Sequence, residues 1–525
     1  MPLLPRSRVD EGMKRTTLFG PPGSGKTTTL SKWAKQAAEK YGGENVMICS
    51  LTKTAAAEIQ SRSTGVPREN VGTLHAHCYR AVGAKYEGKW KVISKDDITE
   101  WNAGKTGIYQ IPVQASAEEM QQTFTDSLIT ACDLFRARMI PLDKWPVKHQ
   151  RFWNLYYDFK QQRTLIDFTD MIEIALNEID CPMDYIILDE AQDCSALEFA
   201  LLSKWASQCK GVVIAGDDDQ SAYEWRGASV DAFLNFAEDQ RVLPRTYRMP
   251  SKIKEYSESW ISQIRNRKEK KYEPRVEGGQ VSELDTRSVE DLIDLSMSLE
   301  GSSMILTTCS YMLNPILKEL TERAIPFHNP YRTTGDYASS WNPLAAGSRG
   351  SSTAADAVRS LLSPPWTYKD IYLILREMST DYLAHGAKAA SQRMKSQDGY
   401  VGMDQLSLWL GDSNLTTLLA GDLNWWMSTI KDSKRRGLLS YRVRVGMKHG
   451  LTGLTTTPRI IVGTIHSVKG GEADNVFLFP DLSRSGHNSF LENEDPIIRQ
   501  LYIGITRARE RLYLVPAPRH GVVQW

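Results

Sequence analysis

The stretch TLFGPPGSGKTTTL, Thr17 to Leu30, sets a short apolar run against glycines and prolines, then one Lys followed by three Thr. Gly20, Gly25, Lys26 and Thr27 keep the spacing G-x-x-x-x-G-K-[ST], with an apolar strand-like run before and the helix-forming KTTTLSKWAKQAAEK after. In such a turn the glycines let backbone N–H groups face inward around phosphate oxygens, and the helix N-terminus adds the positive end of its dipole. Lys26 can then reach β and γ phosphates, and the Thr27 hydroxyl can sit on Mg²⁺. The whole loop, Gly20, Pro21, Pro22, Gly23, Ser24, Gly25, Lys26, Thr27 and Thr28, reads as a cradle for a nucleoside triphosphate. That feature demands an α/β fold around it.

A phosphate loop needs a metal-binding acid at a neighbouring strand end and a group that positions water. YIILDEAQD supplies both: Asp189 stands where the apolar run stops, as a Mg²⁺ ligand, and Glu190 follows it as a candidate general base. Short apolar runs keep alternating with helical patterns, in TTLFG, VMICS, YIILDE and GVVIAGD, and again in SMILTTC, RIIVGTIHS, NVFLF and RLYLV. The alternation predicts two parallel-sheet α/β cores. Residues 80–164 and 331–457 break the rhythm and read as mainly helical insertions. The expected order is first core 1–79 and 165–244, second core 245–330 and 458–525, with one insertion in each.

At 525 residues the chain holds several hydrophobic cores, and its formal net charge of +1 names no polyanionic partner by itself. Nucleic-acid contacts would need local clusters, of which RNRKEKK (Arg265 to Lys271) and Lys431 to Gly450 are the visible ones, each equally readable as a solvated face. The seven cysteines are scattered without a C-x-x-C pair, as suits a reducing compartment. The first fifteen residues hold too short an apolar stretch for a signal peptide, and no run reaches the length of a membrane span. A cytoplasmic protein, nucleoid-associated in a bacterial or phage setting, is expected, with no membrane partner.

DEAQD, then GDDDQSAYEWRGA (Gly216 to Ala228), LPRTYR (Leu243 to Arg248), GTIHSVKGGEADNVFL (Gly463 to Leu478) and YIGITRARERLYL (Tyr502 to Leu514) together resemble the ordered motifs of superfamily-one DNA helicases of the UvrD/Rep type. The resemblance implies two RecA-like cores and an ATP- and Mg²⁺-dependent motor. Its partner is single-stranded or partly duplex DNA, and the expected direction is three-prime to five-prime. It implies that Gln220 senses the γ-phosphate, that Arg248 and Arg507 act as arginine fingers across the cleft between cores, that Tyr247 stacks on the base, and that Glu472 meets the ribose. For the strand it implies Thr52, His75, Thr464, His466 and Lys469. AYEWRGA adds Tyr223, Trp225 and Arg226, an aromatic platform with an adjacent cation of the kind that holds single strands without reading sequence. Leu74 stands where the family carries a stacking aromatic, and the segment ahead of the loop holds no Gln where the family reads adenine. The competing readings are a translocase that strips proteins from DNA without useful unwinding, a nucleotide-gated DNA-binding switch, and a motor on RNA. The sequence names no loading or regulatory protein.

Overall fold

The computed structural model describes residues 15–50, 59, 62, 64–105, 107–112, 127–332, 338–345, 352–517, 523 and 525. The chain forms two compact units, one from Met1–Val281 with Leu482–Glu510, the other from Ser282–Asp481 with Arg511–Trp525. Residues 245–281 and 482–510 thus join the unit that carries the phosphate loop. Side-chain contacts explain the grouping: Thr246 Oγ1 donates to the Pro22 carbonyl at 2.6 Å, and Trp260 Nε1 donates to the Ile498 carbonyl at 3.1 Å.

The first unit is built on a six-stranded sheet of β1 (Arg15–Phe19), β2 (Val46–Ser50), β3 (Val71–Thr73), β6 (Tyr185–Asp189), β7 (Gly211–Gly216) and β8 (Asp239–Val242), in the order β3-β2-β6-β7-β1-β8. Every neighbouring pair in it is parallel. Strands β2, β6 and β7 are buried along their length, which is why each reads as an unbroken apolar run rather than an alternating one. The short strands β4 (Lys91–Val92) and β5 (Leu165–Ile166) pair separately, at the two ends of the first insertion.

That insertion has its own small core of Trp101, Leu128, Cys132, Trp145, Phe152 and Tyr156. It is tied to the sheet-flanking helix Phe168–Glu178 by a buried charge network. Asp167 and Asp170 form that helix's capping box, each side chain bonding the other's backbone N–H at 2.8 Å. The same carboxylates take ion pairs from the insertion: Arg136 reaches Asp167 at 3.1 Å, Asp170 at 2.6 Å and Glu173 at 2.7 Å, and Lys160 pairs with both Asp167 and Asp170.

The second unit holds a sheet ordered β11-β12-β10-β13-β14-β9, from β9 (Gln280–Glu283), β10 (Ser303–Thr307), β11 (Phe327–His328), β12 (Ile460–Thr464), β13 (Ala473–Leu478) and β14 (Ala508–Leu514). β10 pairs in parallel with β12 and β13, and β11 in parallel with β12. The helices between Ser352 and Thr455 share one hydrophobic core with this sheet, through Trp341, Trp366, Trp426 and Tyr441. Among the described residues no helix is long and apolar enough to cross a membrane.

Breaking a buried ion pair by removing one partner leaves a charge uncompensated and costs about 3–5 kcal/mol. Lys160→Ala is therefore expected to strip hydrogen-exchange protection from Leu128–Ala137 and Phe168–Glu178 while β10, β12 and β13 keep theirs. Unchanged protection in those two helices would show the network to be dispensable.

Candidate active site

Because the first sheet is parallel, the chain leaves β1, β6 and β7 at the same edge, and the loops that follow them form one site. After β1 comes the phosphate loop, with Gly23 at φ 71° and Gly25 at φ 80°, the left-handed region open to residues lacking a Cβ. Lys26 and Thr27 begin the helix Lys26–Tyr41, and Lys26 Nζ lies back over the loop, 3.0 Å from the Gly20 carbonyl. A Cβ on Gly20 would lie 1.9 Å from Lys26 Cγ, so the lysine stem occupies the space that a side chain would need. Ser24 Oγ is buried and has no hydrogen-bond partner among the described residues. Thr28 is exposed, and its hydroxyl accepts from Arg62 at 2.6 Å.

After β6 come the acids. Asp189 is 1% exposed and its Oδ2 accepts from Thr27 Oγ1 at 3.0 Å, so the two expected metal ligands already meet. Burial, reinforced by the neighbouring Glu190, pushes the Asp189 carboxyl up to about 6. Such a group is stabilised by a cation, and an all-oxygen pair suits a hard divalent ion. Glu190 has φ 58°, an uncommon conformation for a residue with a Cβ, at a cost of about 1–2 kcal/mol. Gln192, fully buried, holds that turn. Its Nε2 donates to Glu190 Oε2 at 2.7 Å, and its Oε1 accepts from Asp217 N at 3.1 Å.

After β7 comes the turn Asp218–Gln220. Gln220 Nε2 donates to Asp217 Oδ2 at 2.6 Å, while Gln220 Oε1 accepts from Arg507 at 2.8 Å. Both ends of the amide are thus assigned by their partners, a carboxylate on one side and a guanidinium on the other. Arg507 is 1% exposed and also bonds the Ile503 carbonyl and the Thr506 hydroxyl. Arg248, mostly buried, donates to the Thr506 carbonyl at 3.2 Å. A Cβ on Gly23 would come within 2.5 Å of Arg248 Cβ. The two arginines expected from the chain's second half therefore belong to the same compact unit as the phosphate loop. Tyr247 is held by its backbone N–H on the Gly23 carbonyl at 2.8 Å, and its ring is 65% exposed beside the loop.

A second cluster lies on the same unit. Tyr223 and Trp225 approach to 6.3 Å between ring centroids, and the exposed Arg226 lies 5.9 Å from each ring. Trp225 is half-buried, since the turn that carries it packs on the first insertion, where Gly227 faces Ala137 too closely to admit a Cβ. His75 lies 3.8 Å from Glu198 and edge-on to Phe168 at 5.9 Å; the Phe168 side chain is 64% exposed, and sequence reasoning missed it. Burial holds His75 toward its neutral form, and Arg226 works in the same direction against Glu198. Leu74 is fully buried in the core, which accounts for an aliphatic residue there.

Thr464, His466, Lys469 and Glu472 belong to the second unit. Thr464 is buried, its hydroxyl accepting from Ser467 N at 3.2 Å in the turn after β12; the Glu472 backbone N–H approaches the Tyr331 hydroxyl at 3.4 Å. His466 and Lys469 are partly exposed in that turn. Thr52 lies outside the described residues.

A family model described as the UvrD/REP helicase N-terminal domain matches residues 6–241, and one described as the UvrD-like helicase C-terminal domain matches residues 459–515. Among curated proteins the chain is similar to the ATP-dependent DNA helicase srs2 of Schizosaccharomyces pombe, 26% identical over an alignment of 310 residues that covers 50% of this chain and 35% of that protein. It is 25% identical over 352 residues to DNA helicase II of Salmonella typhimurium, 60% of this chain and 48% of the relative. It is 23% identical over 200 residues to the ATP-dependent DNA helicase Rep of Buchnera aphidicola, 35% of this chain and 29% of the relative. In each case the match spans less than half of the relative's length.

The two left-handed glycines of the loop separate strain from contact. Gly25→Ala meets no atom within 4 Å and carries only the left-handed penalty of about 1–2 kcal/mol, whereas Gly23→Ala must also displace the Thr246–Arg248 segment. Thermal melts are expected to place Gly23→Ala clearly below Gly25→Ala; equal melting would show that the loop gives way without disturbing Arg248.

Proposed function

The chain belongs to the UvrD/REP helicase family, and from that premise we propose that it is an ATP-driven motor that moves along single-stranded DNA and separates duplex. The observation that supports this most strongly is the linked set on one sheet edge: Thr27 on Asp189, Glu190 on Gln192, and Gln220 on Arg507. A phosphate loop with a lone acid could serve a switch. An acid, a held base and a sensor joined to an arginine make up the parts of a phosphoryl-transfer site.

In this reading the loop and Lys26 hold the β and γ phosphates, with Tyr247 against the base; the family resemblance alone assigns Glu472 to the ribose. Thr27 and Asp189 hold Mg²⁺, which neutralises phosphate charge when bound. Glu190 accepts a proton from the attacking water as the water oxygen bonds the γ-phosphorus and the bond to ADP breaks. Gln192 keeps the base aimed, Gln220 contacts the γ-phosphate, and Arg248 and Arg507 stabilise the charge on the transferring group. On the first unit the strand contacts Tyr223, Trp225, Arg226 and His75; the family resemblance assigns Thr52, Thr464, His466 and Lys469 to it as well, and the motor moves along it three-prime to five-prime. ATP hydrolysis measured with single-stranded DNA, duplex DNA and RNA side by side tests the substrate class. Strand displacement set beside protein displacement separates unwinding from stripping.

Glu190→Gln keeps the shape of the side chain and removes its basicity, so ATP hydrolysis is expected to fall by about 10²–10⁴-fold with nucleotide and DNA binding retained. Near-normal turnover would remove Glu190 from the role of base.

Base stacking on an aromatic contributes about 1–3 kcal/mol, so Trp225→Ala is expected to weaken single-strand affinity by about ten- to a hundredfold while basal hydrolysis without DNA persists. A lowered melting temperature with all activities reduced together would instead make Trp225 a packing residue of the insertion contact.

A further inference from the structure

The basic run Arg265 to Lys271 is divided: Arg265 and Lys271 are exposed, whereas Arg267 and Lys270 turn inward. Lys270 is buried to 2% side-chain exposure, with its Nζ 3.1 Å from Asp217, 2.7 Å from Asp218 and 2.7 Å from Asp219. Arg267 grips Asp219 through two bonds of 2.8 and 2.7 Å, and the Lys268 backbone N–H donates to Asp218 at 2.7 Å. Three consecutive carboxylates, each buried, are therefore held by one segment that lies some fifty residues further along the chain. A buried charge unpaired in this way would be expelled or neutralised, so the segment is what allows the turn after β7 to be acidic.

Among the three carboxylates Asp217 differs in what it does next. Its Oδ2 accepts from Gln220 Nε2 at 2.6 Å, and Gln220 Oε1 accepts from Arg507 at 2.8 Å. Lys270 thus reaches Asp217 Oδ1 as an ion pair at 3.1 Å, and two hydrogen bonds carry on from Asp217 through Gln220 to Arg507. Arg267 is outside this series: among the described residues its side-chain hydrogen bonds go to Asp219.

We propose that Lys270 is the positioning residue of the γ-phosphate sensor: it holds the Asp217 carboxylate that orients the Gln220 amide, and through that amide the Arg507 guanidinium. The proposal rests on the motor reading above. Burial works against the charge on Lys270, and the surrounding aspartates outweigh it, raising the lysine's proton affinity. The ammonium is therefore a fixed charge throughout the working pH range. Without it the buried Asp217 carboxylate loses its countercharge, and the Gln220 amide loses the fixed acceptor that decides which of its ends faces Arg507.

The test is steady-state ATP hydrolysis with saturating single-stranded DNA, with a thermal melt for each variant. Lys270→Met is expected to lower kcat by about 10- to 100-fold, the range for groups that orient a reacting one, with KM for ATP within about threefold of wild type. Two double variants keep the charge count that folding needs. Lys270→Met with Asp217→Asn retains a neutral acceptor for Gln220 and is expected to return most of the lost kcat. Lys270→Met with Asp218→Asn relieves the same excess charge but leaves Asp217 unsupported, and is expected to stay low. Arg267→Gln is expected to keep kcat within about threefold. Equal recovery in the two double variants, or a kcat unchanged in Lys270→Met, overturns the proposal and makes Lys270 a folding residue only. A wild-type chain that hydrolyses no ATP with DNA overturns the motor reading and this inference together.

Discussion

The parallel hydrogen-bonded register of β1, β6 and β7 is the constraint on which the site depends. Phe19 pairs with Gly216 and Leu188 with Ile214, and the ladder runs one step further where Gly20 N donates to the Gly216 carbonyl at 2.9 Å. Because all three strands end at the same level, three loops from distant parts of the sequence open together. A one-residue slip in any strand would exchange its buried and outward faces and carry its loop away from the others. Gly216 shows how tight the arrangement is, since a Cβ there would lie 2.4 Å from Gln192 Oε1. The same amide that steadies Glu190 thus fixes how closely β7 can leave the sheet.

Upon this frame two networks of buried charge fix parts of the first unit against each other. Arg136 and Lys160 share acids of one helix cap, and Lys270 and Arg267 hold the acids of the turn after β7. Buried ion pairs add little net stability over apolar packing, but they penalise misplacement severely, because a shifted partner leaves an uncompensated charge. Their value here is geometric. One network fixes the insertion against the sheet-flanking helix, and the other fixes the acidic turn.

What could be read from the sequence followed from how local the physics is. The phosphate loop, Asp189 at a strand end and the α/β alternation depend on neighbours within a few residues, and all stand where the pattern put them. Gln192 and Lys270 lie inside stretches that the sequence singles out, DEAQD and RNRKEKK, but their roles depend on Asp217, far along the chain, and Phe168 likewise meets His75 only through the fold. Charge runs mislead for the same reason. RNRKEKK reads as a surface cluster, yet Arg267 and Lys270 face inward. In the run from Lys431 to Gly450, Arg444 and Lys448 donate to the carbonyls of Thr321 and Arg323, and His449 lies 2.9 Å from that of Ala324, at the C-terminal end of the helix Asn314–Glu322. That is where cations complement the helix dipole. One-dimensional spacing cannot tell a strand-binding cation from one that caps a helix.

On the motor reading, residues assigned to the strand and residues assigned to the γ-phosphate lie close together within the first unit. Gln220 and Trp225 lie on one segment, and a single helix, Asp495–Ile505, grips that segment at both ends. At one end Arg499, almost fully buried, pairs with Glu224 at 2.7 Å, next to Trp225, and also bonds the Asn266 carbonyl. At the other, Arg507, just past the helix C-terminus, bonds Gln220. Six helical steps, roughly 9 Å at 1.5 Å per residue, carry Arg499 to the helix end at Ile505, two residues before Arg507. On the motor reading proposed above, a base stacked on Trp225 would press on the Glu224–Arg226 turn that Arg499 holds, and the same helix ends two residues before Arg507, which bonds Gln220.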